Sequence, residues 1–234
     1  MSATAQTPVI TQSPPTASRL AWLLQSTVGL KVVMAVTGVV LTLFVLAHML
    51  GNLTAFTSAD ALNAYGKALR KIPALLWGAR LTLLASVGLH IYAYLVLWRR
   101  SAIARPQGYR VTTYEESTLA SRTMRWTGPI LAAFVVYHLL HMTTGNAHPD
   151  FRAGDIYHNL IVGLQVVPVA IFYIIAMIAL GVHLFHGVWS TFQTLGASQP
   201  RYASLGRRFA TVYTIIVVLG FAAIPIAILA GLLR

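Results

Sequence analysis

Apolar runs of about 20 residues recur along this chain, the length of helix needed to cross a hydrocarbon core about 30 Å thick. Lipid offers no partner to a backbone N–H or C=O, so such segments fold as helices, which satisfy those groups internally. Five spans are predicted, over about 29–51, 73–98, 126–146, 160–192 and 209–232. Composition agrees: of 234 residues 57% are hydrophobic and only 9% charged, well below the charged share of a soluble domain. The expected class is an all-α membrane protein, with a five-helix transmembrane domain over 19–234. Residues 1–18, rich in Ser, Thr, Pro, Ala and Gln, read as a disordered cytoplasmic tail. No basic segment precedes a short apolar core there, so no cleaved signal peptide is expected and the first span is retained.

A net charge of +12 would suit nucleic acid if it formed a patch. Here the basic residues sit in short segments beside apolar runs, which is a topology signal instead. With the N-terminus inside, the inner side holds eleven: Arg19, Lys31, Arg99, Arg100, Arg105, Arg110, Arg122, Arg125, Arg201, Arg207 and Arg208. The outer side holds six: Lys67, Arg70, Lys71, Arg80, Arg152 and Arg234. The excess favours an N-in, C-out arrangement. The chain has no cysteine, so it carries no disulfide and no thiolate-held cluster or zinc of its own.

Between the first two spans, residues Ala61 to Ile72 read as a short amphipathic surface helix. Lys67, Arg70 and Lys71 share a polar face, and Leu62, Tyr65 and Leu69 are placed to dip into the interface. Pro73 then opens the second span, a position that tolerates proline. Arg80 lies inside that span and either snorkels outward or pairs with a buried anion.

Histidines decide the chemistry. His48, His90, His138 and His183 each lie within a different predicted span, where an ionisable side chain is costly and marks function. The pattern Phe-Val-x-x-His-x-Leu occurs at 44–50 and again at 134–140, and the next helical histidine follows after 42 residues in one case and 45 in the other. Two helical hairpins of like orientation are implied, related by an axis along the membrane normal. At about 1.5 Å per residue from the nearest cytoplasmic charge, His48 lies roughly 25 Å outward and His138 roughly 20 Å. His90 lies at roughly 14 Å and His183 at a similar height. An outer pair and an inner pair result, each with one imidazole from each hairpin.

Neutral imidazole is the commonest side-chain metal ligand, and two facing imidazoles suit axial ligation of a haem iron for electron transfer. Glycines beside the histidines, Gly88, Gly181 and Gly51, would allow close approach of a porphyrin. On spans three and four the choice stays open, because His141 shares a face with His138 and His186 with His183. A histidine relay without haem, as in a proton channel, is the competing class.

At these residues the chain resembles the cytochrome b membrane anchor of succinate dehydrogenase and fumarate reductase, of the single-subunit, five-helix, dihaem type. The segments that carry the resemblance are His48-Met49-Leu50-Gly51-Asn52, Ala120-Ser121-Arg122-Thr123-Met124, Tyr137-His138-Leu139 and His183-Leu184-Phe185-His186-Gly187-Val188-Trp189-Ser190. The resemblance implies a four-helix bundle around two haems b. Their axial ligands would be His48 with His138 in the outer site and His90 with His183 in the inner. It also implies an iron–sulfur subunit that delivers electrons from a flavoprotein subunit, and a quinone, typically menaquinone, beside the outer haem. The setting would be a bacterial cytoplasmic (inner) membrane, with the whole complex open to higher oligomers. Asn52, His141, His186 and Trp189 are the quinone candidates. A cytochrome b subunit of another oxidoreductase, of the hydrogenase or formate dehydrogenase type, is the nearest alternative.

Overall fold

The computed structural model describes Ala21, residues 24–104, 119–197 and 199–234. The tail expected over 1–18, together with Arg19, Arg105 and Arg110, lies outside them. Among the described residues every regular element is helical. In order they are α1 (Thr27–Leu53), a 3-10 turn (Thr54–Phe56), α2 (Ala59–Arg70), α3 (Pro73–Ile103), α4 (Leu119–Met142), α5 (Ile156–Gln165), α6 (Val167–Thr194) and α7 (Pro200–Leu229). Local chemistry explains the starts. Ser26 caps α1 by accepting from the Gly29 N–H at 2.9 Å, and Ser58 caps α2 through the Ala61 N–H at 3.0 Å, each satisfying a donor the helix cannot. Helices α3, α6 and α7 instead carry proline in the first turn, where its missing N–H removes no helical bond.

Four helices, α1, α3, α6 and α7, are long and apolar enough to cross a membrane, and the chain is a multi-pass membrane protein. Helix α4, with 24 residues, is long enough at about 36 Å, but Trp126, Thr127, Gly128, Pro129, His138 and His141 dilute its apolar character. The run expected as one span over 160–192 is two helices. At Val166 the backbone is extended, with φ −72° and ψ 101°, and α6 starts afresh. Pro168 explains the break: it has no N–H to continue the α5 ladder, and its ring would clash with the carbonyl four residues back in a continuous helix.

Helix α1 packs against α3, α6 and α7, and α6 also against α4 and α7. Between α1 and α4, and between α3 and α6, there is no extended backbone contact among the described residues. One core gathers Phe134, Leu160, Leu164, Tyr173, Met177 and Ile224 where α4, α5, α6 and α7 meet. Large apolar side chains such as Leu43, Leu81, Leu84, Ile178 and Leu219 stay exposed on the outside of the bundle. That is the surface lipid covers.

The surface helix forms as α2, two residues earlier than expected, with Asp60 in its first turn and Lys67 and Arg70 in its last, as its dipole favours. Tyr65 and Leu69 are exposed, but Leu62 is only 2% exposed and belongs to the protein core rather than to the interface. The difference arises because α5 packs directly on α2. Asn63 bolts the two together: its amide donates to Asp155 Oδ1 at 3.0 Å, and its carbonyl accepts from the Tyr157 N–H at 3.1 Å.

Asp155 in turn caps α5 through the His158 N–H at 3.0 Å. The Asn63 amide, followed by that backbone N–H, holds the Asp155 carboxyl below its ordinary value of 3.8. A lowered folded value means that the stabilisation is complete above the unfolded value and is lost as pH falls through the folded one. Thermal midpoints of the purified protein should therefore drop as pH is taken below the ordinary carboxylate value. Asn63→Ala should reduce that drop, and an unchanged acid profile in the variant would refute the linkage.

Candidate functional site

The four helical histidines come together as two pairs. The rings of His48 and His138 have centroids 5.8 Å apart at an interplanar angle of 80°, and those of His90 and His183 lie 6.3 Å apart at 55°. Each pair bridges helices that lack extended backbone contact, α1 to α4 and α3 to α6. The side chains meet where the backbones stand apart. A metal–imidazole nitrogen bond is about 2 Å, so two imidazoles on opposite sides of one metal have centroids about 6 Å apart. Both pairs fit that spacing.

The two levels are well separated. Thr37 on α1 contacts His90, and it precedes His48 on the same helix by eleven residues, a rise of about 16 Å. Thr37 Oγ1 lies 3.1 Å from His90 Nδ1. On the other hairpin, Thr127 Oγ1 lies 3.5 Å from His183 Nδ1. At this level Nδ1 is engaged by the protein, and Nε2 is the ring nitrogen that a metal could take.

The His48–His138 level is built differently. The hydroxyl of Tyr173 sits between two imidazoles, 3.2 Å from His138 Nδ1 and 2.9 Å from His141 Nδ1. With His138 donating Nδ1–H to that oxygen, the tyrosine O–H donates to His141, and the His141 proton lies on Nε2. His141 is fully buried, and its Nε2 has no partner among the described residues. Its ring stacks on His148 at 5.0 Å, whose Nδ1 accepts the Asp150 N–H at 3.1 Å and whose Nε2 donates to the Asn159 carbonyl at 2.8 Å. His141 thus turns toward α5, and the ring facing His48 is that of His138.

The other candidates are placed as follows. Asn52 donates to the His48 carbonyl at 2.8 Å and lies 3.3 Å from His48 Nε2. The Trp189 ring is covered by the Arg207 guanidinium at 5.0 Å. His186, half-buried, makes no hydrogen bond among the described residues. Arg80 is exposed and stacks over Trp77 at 5.1 Å, which favours the outward-reaching arrangement over a buried ion pair. In the loop beside His141, Thr144 bonds back to Leu140 and Asp150 meets Arg152 and His158, so these polar groups serve loop structure.

Two of the three glycines expected to admit a porphyrin have other work. A Cβ on Gly51 would stand 2.5 Å from the Tyr65 ring, and one on Gly181 would stand 2.8 Å from Val218 Cγ2 on α7. They allow close packing of α2 and α7. Beside Gly88 there is open space.

Sequence reasoning missed Tyr173, Thr37 and Thr127. Tyrosine inside an apolar run needs a partner for its hydroxyl, and that signal was available. The threonines had a stronger one, because the internal repeat is longer than its Phe-Val-x-x-His-x-Leu piece. Residues 37–48 and 127–138 agree at Thr, Gly, Leu, Phe, Val and His, six of twelve positions.

The family model of the succinate dehydrogenase/fumarate reductase transmembrane subunit matches residues 102–223, which include His138 and His183 and exclude His48 and His90. No curated protein and no solved structure matches the chain. With the match covering just over half of the chain, and with histidine-bearing helices long enough to cross a membrane, the chain belongs to the family of transmembrane subunits of succinate dehydrogenase and fumarate reductase.

Proposed function

We propose that this subunit is a dihaem cytochrome b anchor, carrying electrons between an iron–sulfur subunit and a membrane quinone. The observation that carries the reading is the meeting of four histidines as two pairs at metal-bridging distance, across helices otherwise apart. Haem b held by two imidazoles would supply one-electron transfer at each level. His48 and His138 would hold the outer group, and His90 and His183 the inner. Tyr173 orients His138, and its own hydroxyl is held by His141. The apolar helix faces keep water from both levels.

Five spans with the N-terminus inside place the His90–His183 level toward the cytoplasm. The flavoprotein and iron–sulfur partners would dock on that side, near Arg99, Arg100, Arg105 and Arg110, in a bacterial inner membrane. Menaquinone would bind near the outer level. Of the four candidate residues, Asn52, His141 and Trp189 already have protein partners, and His186 lies on the inner side.

The purified complex should contain two haems b per copy of this chain by pyridine haemochrome, with a flavoprotein and an iron–sulfur protein co-purifying. Absence of haem b from an intact complex would overturn the reading and favour an anchor or a histidine relay without cofactor.

A further inference from the structure

We infer that Thr37 and Thr127 are a repeated pair of positioning residues that fix the tautomer and ring orientation of His90 and His183. The inference rests on the proposed haem ligation and adds to it the residues that aim the inner imidazoles.

Both threonines stand eleven positions before the outer histidine of their own helix, and both are followed by glycine, as Thr37-Gly38 and Thr127-Gly128. Each is 7% exposed. Each reaches the second histidine of its own hairpin, 53 residues on for His90 and 56 for His183. One hairpin thus repeats the contact of the other.

The proton order follows from the rest of the network. A threonine hydroxyl has one proton to donate and lone pairs to accept. Thr37 spends its proton on the Val33 carbonyl at 2.7 Å, and Thr127 spends its own on the Thr123 carbonyl at 3.3 Å. A hydroxyl bonded back to the carbonyl four residues earlier is ordinary in a helix. What is not ordinary is that both oxygens then face an imidazole. With the hydroxyl proton committed, each oxygen accepts from Nδ1–H, with the Met34 carbonyl a second acceptor at His90 and the longer 3.5 Å contact serving His183, so the imidazole carries its lone pair on Nε2. A ring nitrogen held in this way orients a histidine ligand and raises its basicity. A more basic ligand favours the oxidised iron, so removing the hydroxyl should raise the midpoint potential of that level.

The test uses the whole complex carrying Thr37→Val or Thr127→Val, each close to threonine in volume, beside Thr37→Ser and Thr127→Ser, which keep the hydroxyl. Loss of the hydrogen-bond partner of a metal-binding histidine weakens metal binding by about tenfold or more. If the loss falls on the oxidised form, a tenfold change in a one-electron couple equals about 59 mV. In the valine variants we expect the inner haem alone to shift upward in potential or fall in occupancy. Its low-spin electron paramagnetic resonance signal should broaden or move, while the outer signal stays unchanged. The serine variants should match the parent. Should a valine variant fail to assemble, the alanine variant is read in its place, and failure of both beside a normal serine variant supports the role of the hydroxyl. The inference is overturned if the valine variants keep the inner potential and signal of the parent, or if serine fails as valine does. A parent complex without haem would instead remove the ligation reading itself, so the two failures are told apart.

Discussion

Replacing His90 by alanine is expected to remove one of two haem b components and leave the other in place. Each level takes a single imidazole from each of its two helices, with centroids 5.8 Å and 6.3 Å apart, so the loss of one ring leaves a single ligand facing empty space. The two levels lie about 16 Å apart along α1, and sites so separated that share no partner behave independently. His90→Ala should therefore halve the haem count by abolishing the inner component, and His48→Ala should do the same to the outer one. Low-temperature reduced-minus-oxidised spectra of assembled complex check both variants. Simultaneous loss of both components from either variant, in protein that assembles normally, would count against two separate bis-histidine sites.

Gly163→Val is expected to destabilise the chain and to disturb the His48–His138 level from outside the pair. Gly163 is buried on α5, and a Cβ there would lie 2.8 Å from His141 Cε1, His141 Nε2 and His148 Nε2. Neither ring can yield freely. His141 is tied to Tyr173 at 2.9 Å and His148 to the Asn159 carbonyl at 2.8 Å. Forced overpacking of this kind costs about 1–3 kcal/mol, and at this chain length each kcal/mol lowers the thermal midpoint by about 2–4 °C. Pushing His141 aside also frees the Tyr173 hydroxyl that holds His138, so the outer haem signal should broaden while the inner one stays sharp. A parent-like midpoint with a sharp outer signal would show that α5 does not press on His141.

The helical plan and the two histidine levels were legible because both are matters of spacing along the chain. Apolar length sets the helices, and the rise per residue sets depth, so His48 with His138 and His90 with His183 could be paired from sequence arithmetic. The choice between His138 and His141 was not legible in this way, since they share one helix face. It depends on where α5 and Tyr173 stand. The break at Val166 escaped because apolar continuity does not register a missing N–H, although Pro168 marked the place. Gly51 and Gly181 were read for the wrong neighbour, since glycine in such helices serves helix packing as readily as it admits a ligand. Thr37 and Thr127 were invisible one at a time. A lone threonine in an apolar run carries little signal, and only their shared distance from a histidine distinguishes them.

The crossed arrangement of the histidines has a consequence for biogenesis. A chain severed between α3 and α4 would yield two pieces, each presenting one imidazole at both depths and neither able to grip a ligand from two sides. On the proposed ligation, docking of the halves and capture of the cofactors would be thermodynamically coupled, as when a metal site exists only in the folded state. Helix α1 already joins the second half through α6 and α7, so on the proposed ligation cofactor supply would tune how firmly the halves dock rather than decide whether they meet.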